Sequence, residues 1–154
     1  MKRILCAIDM SHEEEAKKII AEAEKLAGLY ETSLSVMTVL PDYGSSWVGS
    51  FFKEGTLKKA TEAAMTALYD LAGSTTARGD AIQHIVEVGV TYEEILATAK
   101  TVHADMIIVG AHKPDLADRL IGPNAARVAR PADVSVPGCH FHNPFSPRQP
   151  LQAA

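Results

Sequence analysis

An aspartate closes the first apolar run of the sequence, RILCAIDMS, and two glycines bracket a polar stretch far downstream, GAHKPDLADRLIGPNAAR. The Asp9 carboxylate could accept hydrogen bonds from a ribose hydroxyl or an adenine amino group, or help cap the helix that follows it. Gly110 permits close approach of the main chain to a ligand. Gly122-Pro123-Asn124 opens a helix, where unpaired N–H groups favour anions. Lys113 offers a point charge to phosphates and His112 a donor. The plain alternative is a polar strand-to-helix connection, since neither GxxxxGK[ST] nor GxGxxG occurs in the chain.

Other reactive residues point less clearly to chemistry. Cys139-His140-Phe141-His142 gathers metal-ligand types, but a closed zinc site needs a further partner elsewhere, and none is visible in the sequence. His84 and His103 fall on a strand and at a helix end and read as structural. Ser11 and Ser35 lack the histidine and aspartate companions of a hydrolase triad. Trp47, Phe51 and Phe52 read as a loop covering the sheet edge, with a partner-binding patch as the alternative. The two cysteines make no disulfide framework, and Cys6 reads as a small core residue.

The elements that must position these residues alternate. Apolar runs at 3–8, 33–40, 81–88 and 105–109 read as strands, with DVSV as a candidate fifth. Between them lie three helical patterns and a short one at about 123–130. Ser11 with Glu14, and Thr91 with Glu94, have the spacing of capping boxes. Gly28 marks the end of the first helix, and Pro41 stops the second strand. The second helix, roughly 55–72, presents Leu57, Ala60, Ala64, Leu68 and Leu71 on one face.

This alternation predicts a doubly wound, five-stranded parallel α/β sheet with helices on both faces, Rossmann-like in kind. Ligands of such sheets bind at the carboxyl ends of strands where the winding reverses. Asp9, Val39-Leu40 and Gly110 all fall at such ends.

Composition narrows the function classes. A net charge of −4 and pI near 5.8 argue against general nucleic-acid binding. No apolar run reaches the roughly 18–20 residues that span a bilayer. MKRILCAIDM fails as a signal peptide because Asp9 and the glutamates after it interrupt the run, so the expected address is the cytoplasm. Residues 137–154 hold four of the eight prolines and read as an irregular tail after a domain of residues 1–136.

Together, ILCAIDMS, SVMTVLP, VEVGVTYEEILATAKTVHADMIIVGAHKPD and GPNAARVAR resemble the universal stress protein family. The HKPD…LIGPNAA stretch is most similar to its UspF-type branch. The resemblance implies strand order 3-2-1-4-5, as in adenine nucleotide alpha hydrolase-like folds, and a homodimer or tetramer paired through the last strand. It implies a binding protein for ATP or a related adenine nucleotide, with or without Mg²⁺. Such a protein would act as a stress sensor or regulator, including of a transporter, and not as an enzyme. By matching position, Asp9 would face the nucleoside, with Ala7 and Val39 framing the base and Met10, Ser11 and Leu40 among the nucleotide-binding residues. Gly110, His112, Lys113, Gly122, Pro123, Asn124 and Ala125 would form the phosphate loop.

Pro123 stands where the family carries a phosphate-binding hydroxyl and removes both that group and an N–H. Each lost hydrogen bond to a charged group costs about 1.5–3 kcal/mol, one to two orders of magnitude in affinity. The rival expectation is therefore a dimeric interaction module of the same family that binds no nucleotide.

Overall fold

The computed structural model describes residues 2–41, 54–77, 81–110 and 138–139. Four strands, β1 (Arg3–Ile8), β2 (Ser33–Pro41), β3 (Gln83–Gly89) and β4 (Met106–Gly110), form a parallel sheet in the order β3-β2-β1-β4. Three helices, α1 (Glu13–Leu29), α2 (Glu54–Thr75) and α3 (Thr91–Thr101), make the connections. A two-residue segment, β5 (Gly138–Cys139), pairs in parallel with Val109 and Gly110 on the outer side of β4. The expected fifth strand at DVSV lies outside the described residues. The two paired residues fall instead in the stretch read as a tail, where a proline-rich composition hid them.

Residues 4–8 of β1 and 106–109 of β4 are apolar without a break because both faces of the sheet are covered. Ile4, Cys6 and Ile8 pack with Ile19 and Ile20 of α1 and Leu68 and Leu71 of α2. On the other face Leu5 and Ala7 pack with Ile95 and Ala99 of α3 and with Ile107 and Val109. Helices α1 and α2 therefore share one face and α3 takes the other. The winding reverses between β1 and β4.

Helix boundaries depart from the expected signals. The N-cap of α1 is His12 and not Ser11, and that of α3 is Val90; neither makes a side-chain cap bond. Ser11 is diverted because its hydroxyl donates to Asp9. Thr91 is already inside its helix. Gly28 does not end α1; the chain turns at Glu31, with φ 49°, where Glu31 N–H bonds Gly28 O and Thr32 N–H bonds Ala27 O. The same paired bonds close α3 around His103, with φ 53°, from its N–H to Lys100 O and from Ala104 N–H to Ala99 O. Both are Schellman turns built without glycine.

Two other expectations are revised. Strand β2 runs through Pro41, which pairs with Gly89, because a proline ending a strand sacrifices only one donor. On α2 only Leu68 and Leu71 of the expected face are buried, while Leu57 is exposed. Residues 57–60 of that helix are exposed.

Candidate functional site

The carboxyl ends of β1, β2 and β4 form one rim, and the register sets what stands there. Ala7 lies between Met37 and Val109, and Ile8 stands beside Thr38. Thr38, itself buried, donates its hydroxyl to Ile8 O at 3.1 Å and ties the ends of β1 and β2 together. No pattern in the sequence marked Thr38 for this task; a polar residue inside an apolar run is the only signal it gives.

Past Ile8 the chain emerges into solvent. Asp9 and Ser11 are exposed and Met10 is half-buried against the core. Asp9 Oδ1 accepts the Ser11 N–H at 2.9 Å and the Ser11 hydroxyl at 2.5 Å. His12 Nδ1 lies 3.1 Å from Ser11 Oγ and 3.3 Å from Asp9 Oδ2. Since the serine proton points at the carboxylate, Nδ1 must carry a proton to bond either neighbour. His12 escaped the sequence reading; its signal is a polar side chain three residues after Asp9, at the first bend of the chain toward a helix.

The remaining rim residues divide by burial. Ala7 is buried beneath the rim, and Val39 and Leu40 are half-buried, Val39 against the cluster on the α3 side. Gly110 closes β4 where Ile19 of α1 presses so near that a β-carbon would collide with its Cδ1. Gly89, with φ 156°, is likewise overlain by the Glu94 side chain, whose Oε1 lies 2.5 Å from where a β-carbon would be. His112, Lys113, Gly122, Pro123, Asn124 and Ala125 lie outside the described residues, as do His140 and His142. Among the described residues no three acidic, histidine or cysteine side chains group as metal ligands. No helix among them is long and apolar enough to cross a membrane.

Electrostatics along the rim are uneven. The first turn of α1 carries Glu13, Glu14 and Glu15, and that of α3 carries Glu93 and Glu94. Those carboxylates occupy the positive ends of both helix dipoles and repel any further anion. Lys17 is held by Glu13 at 2.8 Å and Glu14 at 3.3 Å, and these bonds, Glu13 first, raise its pKa. A phosphate at this rim would therefore be directed away from the first turns of α1 and α3.

A parallel sheet wound in two directions, with an exposed aspartate at one side of the reversal and a glycine at the other, places the chain in the doubly wound α/β class. The universal stress protein profile matches residues 1–136, and the chain belongs to that family.

Solved structures agree in fold. A universal stress protein in complex with cAMP is 23% identical, with a TM-score of 0.64 over 90% of this chain and 97% of that one. The hypothetical protein MJ0577, the subject of a structure-based assignment of biochemical function, is 25% identical, with a TM-score of 0.71 over 92% and 97%. The universal stress protein of Archaeoglobus fulgidus in complex with dAMP is 18% identical, with a TM-score of 0.57 over 90% and 97%.

Proposed function

We propose that this chain binds ATP or a related adenine nucleotide in the crevice between β1 and β4 and acts as a stress-response sensor or regulator, not as an enzyme. The observation that carries this reading is the placement of exposed Asp9 and of Gly110 on either side of the winding reversal. Relatives of the same fold solved with cAMP and dAMP support the choice of an adenine nucleotide. In this reading Asp9 and Ser11 face the nucleoside, and Ala7, Val39 and Leu40 frame the base. In the same reading the phosphates run toward Gly110, Lys113 and Gly122–Asn124, away from the glutamates that begin α1 and α3. The His112-Lys113-Pro114-Asp115 sequence favours the UspF-type branch. A cytoplasmic homodimer or tetramer, with a regulatory protein or transporter as partner, completes the proposal.

Mass spectrometry of small molecules released from the purified protein, followed by ATP calorimetry with and without Mg²⁺, tests it. Retained adenine nucleotide or measurable binding is expected; no retained nucleotide and no heat at millimolar ATP would overturn it. Pro123→Ser should tighten binding by one to two orders of magnitude if that residue stands at the phosphates. The second reading, an interaction module with no nucleotide, draws on the local bonds that already engage both Asp9 oxygens.

A further inference from the structure

We infer that His12 is a latch on Asp9, and that it sets how readily the carboxylate is given up to a ligand. An N-cap side chain ordinarily turns forward to the free N–H groups of its helix. His12 occupies that position and makes no such bond. Its ring instead turns back toward the end of β1, with Nδ1 at 3.1 Å from Ser11 Oγ and 3.3 Å from Asp9 Oδ2. Ser11 meanwhile places its N–H and its hydroxyl on Oδ1. Ser11 thus holds Oδ1 firmly, and His12 reaches Oδ2 at a longer distance.

The two grips differ in how easily they release. Ser11 is anchored through its own main chain, so its N–H cannot leave Oδ1 without moving the turn. His12 reaches Oδ2 through a half-exposed side chain, at 52% relative exposure against 50% for Asp9. A nucleoside hydroxyl or amino group reaching Asp9 would take the place of the His12 ring and leave the Ser11 bonds intact. Breaking the His12 contact is then part of binding, and removing it beforehand favours the bound state. The inference rests on the adenine-nucleotide reading above and adds a residue that regulates the same site.

Because the His12 side chain caps nothing, His12→Ala leaves the helix start intact. ATP titration calorimetry on the full chain should show His12→Ala binding about two- to five-fold tighter than the native protein, the range an exposed pair of this kind is worth. The ring nitrogens of His12, observed by NMR, should carry the proton at Nδ1 in the free protein and lose that environment when ATP is added. Binding by both proteins without tightening, or a free-state ring protonated only at Nε2, overturns the latch alone. No heat from either protein at millimolar ATP overturns the nucleotide reading and the latch with it.

Discussion

The δ-methyl of Ile19, on α1, fills the space that a β-carbon on Gly110 would need. A side chain at this position would therefore have to displace that methyl, the far end of a flexible side chain. Gly110→Ala should cost about 1 kcal/mol, the low end of overpacking, since only that methyl has to move. Ile19→Val, which removes that methyl, should cost about 0.5–1.5 kcal/mol alone. The double variant should lose clearly less than the sum, and denaturant unfolding of the four proteins measures the coupling.

The two glycine-free Schellman turns hold Glu31 and His103 in the left-handed region. A side chain there costs roughly 1 kcal/mol that glycine does not. Glu31→Gly and His103→Gly should each raise stability by up to about 1 kcal/mol, additively because they end different helices. Thermal unfolding of the single and double variants checks this, and a fall in stability would refute it.

Asp105 precedes β4, and its Oδ2 accepts the N–H of Lys2 at 2.7 Å and of Arg3 at 3.0 Å. These two bonds, Lys2 first, lower its pKa below 3.8. A carboxyl depressed in the folded state stabilises the protein above its unfolded pKa and loses that contribution as pH falls through the folded value. Asp105→Ala should be less stable than the native protein at pH 7, and the gap should close below about pH 4. A gap that persists undiminished at pH 2 would show that the charge is not responsible.

His84 on β3 lies against Tyr69 of α2, ring centroids 4.8 Å apart, and its buried Nε2 has no hydrogen-bond partner among the described residues. Burial lowers its pKa from 6.5. The unfolded chain therefore takes up the proton first, so stability is full above pH 6.5 and declines as pH falls below it. His84→Phe keeps a ring against Tyr69 and removes the orphan nitrogen. It should gain about 1 kcal/mol at neutral pH, and more at pH 5. Equal pH profiles for the two proteins would contradict this account.

What the sequence disclosed, and what it withheld, follows from how far each interaction reaches. RILCAI and MIIV announce buried parallel strands because both their faces must be apolar, and the order of elements then restricts the winding. The rim positions of Asp9, Val39 and Gly110 followed from that alone. Caps were misread because Ser11 had a competing acceptor two residues behind it, which spacing rules ignore. Leu57 and Ala60 kept the helical period of Leu68 and Leu71, yet only tertiary packing decides which part of α2 meets the sheet. The roles of Thr38 and His12 depend on which strand ends become neighbours and which way one ring turns. The paired residues Gly138 and Cys139 have no local signature at all.

Gly110 is paired with Cys139, so the last described residues of the chain are joined to the residue from which the polar segment departs. Thermodynamic linkage makes such a junction work in both directions. A ligand at the crevice that favours the Gly110–Cys139 pairing would be favoured by that pairing to the same extent.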